Sequence, residues 1–203
     1  ARGPHAPLSA ASVCDSAPGE SLPDGAELPL FSLQVAGGGG DAMPPLPARL
    51  SALPDAPAWP DAPVRRMRLD FDERMGFVID QTPYRIEENA FSVPRGAREV
   101  WEIKNSPISM PHPMHLHGFG FRVLRRRGTY GEARTLATEP DGRLATDLGV
   151  KDTVVLWPNE TLWLAVDFSL PRQAAFDGAQ RYMFHCHNLE HEDGMMMRNF
   201  TVA

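Results

Sequence analysis

The chain has 203 residues, 42% of them hydrophobic, and a formal net charge of −6 at pH 7. That is ample apolar material for a buried core and argues against wholesale disorder, and no basic patch is dense enough to suggest nucleic acid. No apolar run approaches the roughly 18 residues of a membrane span, and the opening "ARGPHAPLSAASVCDS" lacks the hydrophobic stretch of an intact signal peptide.

In chain order, residues 1–36 read as a loop rich in Pro, Ala, Ser, Gly and Asp, followed by one strand, "LPLFSLQVA" (28–36). In that strand Phe31, Leu33 and Val35 alternate with Ser32 and Gln34. A lone strand cannot bury its own face and needs a sheet to join. Residues 37–63, "GGGGDAMPPLPARLSALPDAPAWPDAP", hold too much Gly and Pro for a helix or a central strand and read as an extended connector.

From Val64 the texture changes to short strands. Candidates are "VRRMRLDF", "GFVID", "YRIEE", "AFSVP", "EVWEIKN", "MHLHGFGFRVLRR", "DTVVLWP", "ETLWLAVDF", "RYMFHCH" and "MMMRNFTVA". Turn signals such as "PRGA", "EPDGR" and "WPNE" separate them. This predicts an all-β domain over 64–203, an antiparallel sandwich or barrel without a long helix. The arginine-rich stretch "RRRGTYGEARTLATEPDGRLATD" (125–147) is a candidate surface loop.

The chain holds seven histidines and two cysteines. The stretch "MFHCHNLEHEDGMMM" (183–197) concentrates His185, Cys186, His187, His191 and a methionine triplet. In a strand, residues i and i+2 project to one face and i+1 to the other. His185 and His187 therefore face away from Cys186, and one strand can serve two sites back to back. Imidazole, thiolate and a more distant thioether are the donors of an electron-transfer copper centre. Cys186, His191 and Met196 supply these, with Met195 a weaker axial candidate, and one more histidine is required. "HPMHLHG" (112–118) supplies it. Its spacing lets His112 join Cys186, while His115 and His117 join His185 and His187; Pro113 is expected to break the strand between the two sets. Zinc fits less well, because structural zinc sites favour four ligands at compact spacings. His5 is left as an ordinary histidine of the terminus, and Cys14 as free or bridged to another chain.

These motifs resemble those of the multicopper oxidases, the family of laccases, bilirubin oxidases and bacterial cuprous oxidases. The resemblance is carried by "EVWEIKNS", "HPMHLHG", "GVKDTV" and "HCHNLEHEDGMM" and covers residues 64–203. It is strongest to the bacterial three-domain members. It implies a cupredoxin-like Greek-key β-sandwich or barrel, with residues 1–36 as the tail end of a preceding cupredoxin domain. It also implies type 1 copper on His112, Cys186, His191 and Met196, type 2 copper on His115, and the type 3 pair on His117, His185 and His187. His185, Cys186 and His187 would then form the electron path between the sites. Glu192 matches an acidic residue associated with proton relay in bacterial members; the alternative is a solvated acidic loop. Methionine at the axial position implies a lower potential than in high-potential fungal laccases.

One departure matters. The family's trinuclear cluster needs four His-x-His pairs, and this chain carries two, so it holds one complete type 1 site and half the cluster's ligands. A partner chain or fragment with two further pairs is expected, with the strand over 28–36 completing its sheet; a homo-oligomer is the other arrangement. The implied activity is laccase-like: a small phenolic, aromatic or metal-ion substrate is oxidised at an exposed edge of a type 1 histidine and dioxygen is reduced to water. The alternative is an electron-transfer cupredoxin or a copper-handling protein without oxygen chemistry. The family further implies a periplasmic or extracellular location.

Overall fold

The alternation of apolar and polar residues after Val64 becomes ten strands among the described residues, arranged as two five-stranded sheets. The computed structural model describes residues 31, 32, 34, 44–48, 58–61, 63–129, 131–169 and 178–203. The chain divides into two units, Ala1–Ala56 and Pro57–Ala203. The strand expected over 28–36 lies outside the described residues except for Phe31, Ser32 and Gln34, which are exposed and in no regular element. Most of the expected connector also lies outside them.

The first sheet has the order β2 (Gly76–Ile79), β1 (Arg65–Asp72), β4 (Arg98–Asn105), β8 (Thr161–Asp167) and β6 (Phe121–Arg127). The second runs β3 (Asn89–Val93), β10 (Met197–Val202), β9 (Gln180–Cys186), β5 (His112–Leu116) and β7 (Thr153–Leu156). The expected all-β sandwich is therefore what forms, but it is not purely antiparallel. β1 pairs with β4, and β3 with β10, in parallel, because these neighbours are joined by connections that leave the sheet rather than by hairpins.

Between the sheets lies an aromatic core. The ring of Trp101, fully buried, meets Phe91, Phe184 and Phe200 edge-on, with centroids 5.5, 5.7 and 5.9 Å away; such edge-to-face contacts add to the burial of area itself. Its indole N–H donates to Glu99 Oε2 at 2.8 Å, and the same carboxylate receives Arg65 Nε and Nη2 at 2.6 and 2.7 Å. The polar end of the tryptophan is thus satisfied without an unpaired charge.

Several local expectations change. "YRIEE" is not a strand: residues 85–88 turn, with Glu88 N–H bonded to Arg85 O at 3.0 Å. The carbonyl of Ile86 is taken by the side chains of Arg181 and Asn199, at 2.9 Å each. "MHLHGFGFRVLRR" is two strands in different sheets, since the chain crosses the sandwich at Gly118–Gly120. Pro113 does not break β5. Opposite it, Val155 gives its carbonyl to Arg126 Nη1 at 3.0 Å, and Pro113's own carbonyl accepts His187 N–H at 2.7 Å. The missing proline donor therefore leaves no ladder partner stranded. A five-residue helix, α1 (Leu189–Asp193), which strand patterning did not reveal, joins β9 to β10.

The crossing at Gly118 depends on the absence of a side chain. Gly118→Ala is expected to cost roughly 1–3 kcal/mol, because the added Cβ would stand 2.4 Å from Tyr182 Cε1 on a backbone with φ of +76°. Urea denaturation of the two chains measures the difference.

Candidate metal centre

Strand parity decides where each ligand-type side chain points. β9 pairs with β5 so that Met114 faces Cys186, His115 faces His185 and Leu116 faces Phe184. His112, Met114 and Leu116 are buried on one side of β5, while His115 and the following His117 project from the other. Cys186 shares the buried side, and His185 shares the side of His115.

On the buried side, ligand atoms of His112, Cys186 and His191 all lie within 4.8 Å of one another. Cys186 Sγ is 3.5 Å from His112 Nδ1 and 3.4 Å from His191 Nδ1, and the two Nδ1 atoms are 3.0 Å apart. Ser109 Oγ stands 2.8 Å from His112 Nε2. A proton on Nε2, shared with this hydroxyl, is the tautomer that turns the Nδ1 lone pair toward Cys186. His191 reaches back because α1 folds on Asn188, whose carbonyl receives the N–H groups of His191 and Glu192 at 3.0 and 2.8 Å. Met196 is fully buried and tied to the cluster by its backbone: its N–H donates to His191 O at 2.8 Å, and its carbonyl accepts Cys186 N–H at 3.1 Å. Met195, by contrast, has φ of 62° and is 52% exposed. Met196 is thus the methionine on the buried side, and Met195 the one turned outward.

Burial sets the protonation of this cluster. It holds the His112 imidazolium down to about 3, helped by the nearby His191, and His191 down to about 4. Both rings are therefore neutral donors at pH 7. Burial pushes the Cys186 thiol up to about 12, so a thiolate forms there only when a cation offsets its desolvation. Two neutral imidazoles and a shielded thiol converging on one point are the donor set of a soft transition-metal site, and the residues fit copper.

A substrate-accessible histidine edge is not found. His112 and His191 are both 0% exposed. The Phe77 ring lies on His191 with centroids 3.8 Å apart, and His191 Nε2 is buried without a hydrogen-bond partner. The apolar cover from β2 was not legible, because Phe77 is distant in sequence from every ligand motif.

On the opposite side, His115, His117 and His185 form one group, and His185, His187 and Glu192 a second that shares His185. His115 Nδ1 is held by Asp152 O at 3.0 Å and Thr153 Oγ1 at 2.9 Å, and His185 Nδ1 by Cys186 O at 3.0 Å. Each bond fixes a ring and frees its Nε2; that of His185 meets His117 Nε2 at 2.9 Å. Burial, and then the neighbouring rings, holds the imidazolium of His117 below its usual range; burial does the same for His185. Glu192 Oε2 is 3.3 Å from His187 Nδ1. His117 and His187 are exposed, and His115 borders an open cavity of about 450 Å³ with Gly118 and Lys151.

The family model for multicopper oxidases matches residues 57–203. The chain belongs to the multicopper oxidase family. It is 39% identical over 117 residues to a laccase of Bacillus subtilis, covering 53% of this chain and 21% of that protein. To the bilirubin oxidase of Albifimbria verrucaria it is 38% identical over 112 residues, or 55% of this chain and 17% of that one. A multicopper oxidase of the hyperthermophile Aquifex aeolicus superposes with a TM-score of 0.58 at 36% identity, covering 77% of this chain and 32% of that one. The fold is thus the cupredoxin-like one that the motifs imply, and this multicopper oxidase chain spans only about a fifth of the curated relatives. His5 and Cys14 lie outside the described residues. Asp152 and Thr153, which orient His115, belong to the "GVKDTV" motif, whereas Ser109 and Phe77, which touch His112 and His191, lie in none of the motifs.

The protonation pattern predicts how metal uptake depends on pH. Between about 4, set by His191, and about 12, set by Cys186, affinity for a divalent ion at this cluster is expected to rise about tenfold per pH unit. Only the thiol proton must leave in that range; below it the imidazoles also hold protons and the dependence steepens. Proton release on titration of the chain with Cu(II) in weak buffer should be one per ion bound there, and release of none at pH 7 would remove Cys186 from the ligand set.

Proposed function

We propose that this multicopper oxidase chain is the C-terminal part of a laccase-like enzyme, completed by a polypeptide that supplies two further His-x-His pairs. In this reading His112, Cys186, His191 and Met196 hold type 1 copper. His115 serves type 2 copper, and His117, His185 and His187 serve the type 3 pair. With copper bound at these residues, the chemistry supplied is one-electron oxidation of a phenolic, aromatic or metal-ion substrate coupled to four-electron reduction of dioxygen to water.

The observation that carries the reading is one of adjacency. Cys186 belongs to the buried cluster, while His185, bonded to it along the chain, belongs to the cluster on the opposite face. An electron passing between the two sets has a path of a few covalent bonds through Cys186 into His185 or His187. The protein's part is to hold both donor sets rigid, so that little reorganises when charge moves.

Glu192 is the proton-relay group in this reading, which its 3.3 Å contact with His187 Nδ1 supports. Phe77, itself buried, packs on the His191 ring and shares in covering it. Exposure of His117 and His187 supports a docking partner at this face, since a trinuclear site needs ligands from beyond the chain's own two pairs. A heteromer is favoured over a symmetric homo-oligomer on the sequence pattern of residues 28–36 alone, which is that of a lone strand. Among the described residues no helix is long and apolar enough to cross a membrane, and a periplasmic or extracellular location follows the family.

The full chain, loaded with Cu(II) alone, is expected to show the intense visible band of a copper–thiolate bond and to consume no dioxygen. Cys186→Ser should abolish the band, whereas Met196→Leu should keep it and raise the reduction potential. Dioxygen consumption should appear only in the native assembly, whose mass spectrum should contain a second polypeptide with two His-x-His pairs. Turnover by the chain as an isolated monomer would overturn the partner requirement, and a copper-loaded chain without the thiolate band would overturn the type 1 assignment.

A further inference from the structure

The arginine-rich segment 125–147 takes no part in the metal clusters, yet it borders a cavity of about 580 Å³. Its construction begins with the register of β6. Pairing with β8 shifts between Val123 and Arg125, so that Arg125 faces Trp163, Arg126 faces Leu162 and Arg127 faces Thr161. A bulge of this kind changes which face the later side chains occupy. Here it sends Arg126 into the sandwich and leaves Arg125 and Arg127 outside.

On the outer face the Arg125 guanidinium lies 4.0 Å over the Trp163 ring, whose N–H is fixed by Glu102 Oε2 at 3.0 Å. The chain then runs through a 3-10 turn, Gly131–Leu136, and returns so that Arg126 N–H bonds to Asp141 O at 2.9 Å. This return closes a concavity walled by Trp163, Ala137 and Pro140 and lined by Arg125, Arg127 and Arg134.

Charge is unevenly matched there. Asp141 is held by Arg143 Nε at 3.0 and 2.9 Å, and buried Arg126 is held by Asp147 and Glu160. Among the described residues no carboxylate pairs with Arg125, Arg127 or Arg134. The chain as a whole is acidic, with net charge −6, so three guanidinium groups around one cavity with no carboxylate partner among the described residues are a local feature. Guanidinium forks bind carboxylates in a two-pronged geometry, and the Arg125 guanidinium, stacked on the buried Trp163 ring, offers its outer face to a planar ring.

We propose that this concavity is a binding site for an aromatic carboxylate, with Arg127 and Arg134 taking the carboxylate and the Trp163–Arg125 stack facing the ring. No metal ligand of the chain contributes to it. Its occupancy therefore stands or falls independently of the oxidase reading.

The probe is 2-naphthoate, titrated calorimetrically into the full chain without copper. One equivalent is expected to bind, and the Arg127→Ala/Arg134→Ala double variant should bind at least about tenfold more weakly, a loss of about 1.4 kcal/mol. The neutral 2-naphthamide should be weakened similarly in the unaltered chain. Arg85→Ala, a substitution of an exposed arginine elsewhere, should change nothing, and circular dichroism verifies that each variant is folded. Failure of the unaltered chain to bind 2-naphthoate would overturn the proposal, as would equal binding by the folded double variant or equal binding of the amide. Inorganic phosphate bound as tightly, with the same dependence on Arg127 and Arg134, would show an anion site without aromatic selectivity and overturn it too.

Discussion

The pairing of β5 with β9 is the constraint on which the metal-binding face depends. With Met114 opposite Cys186 and His115 opposite His185, soft donors meet on one side of a single sheet and imidazoles on the other. A slip of one residue would exchange those faces and put Cys186 among the exposed histidines. The core resists such a slip, because Phe184, on the same strand, is fixed edge-on against Trp101. Bonds from His117 N–H to Met183 O and from His187 N–H to Pro113 O, at 2.9 and 2.7 Å, extend the pairing past the ends of the ladder. Ligand geometry is in this sense a by-product of aromatic packing some residues away.

A second constraint ties the two sheets together. Arg126, on the edge strand of the first sheet, gives Nε and Nη2 to Asp147 at 2.6 and 2.8 Å and Nη1 to both Glu160 and the carbonyl of Val155. Thr129 hydroxyl and Trp157 N–H complete the coordination of Glu160. A buried ionic group of this kind is weak evidence for stability, since apolar replacements of equal volume often serve as well. Its geometric effect is more definite: Val155 lies on β7 opposite Pro113, the residue after His112. One guanidinium therefore links the bulged edge of one sheet to the strand that carries His112, and satisfies the carbonyl that a proline cannot.

What the sequence made legible was what depends on parity and on rare residues. Two His-x-His pairs and one Cys between histidines in a strand leave little freedom about which side chains share a face, and the two clusters assembled accordingly. Short strands with turn punctuation likewise marked the all-β sandwich. The connections between sheets were less legible. "MHLHGFGFRVLRR" keeps strand-like character throughout, and only the close approach of Gly118 to Tyr182 shows why it must cross. α1 escaped notice because five residues are too short to display a helical period. The exposed histidine edge failed for another reason: covering His191 is the task of Phe77, on a strand that pairs with β1 far from either motif. Arg126 looked like one more surface arginine of an "RRR" run, since a bulge is invisible to any fixed alternation.

Protonation explains why such a site can exist in the folded chain before metal arrives. Burying three ionised groups together would be prohibitive, but in this cluster none needs to be ionised. Desolvation keeps His112 and His191 neutral and Cys186 protonated, so the cavity closes around neutral donors and the packing of Phe77, Met114 and Met196 carries no electrostatic penalty. Charge would enter only with a cation, and loss of the Cys186 thiol proton would offset part of it. The scaffold thus fixes the positions of the donors first, and the metal must accept them. The donors are held by a ladder, a helix turn and a stacked ring, so a metal entering among them would meet ligand positions that are already set.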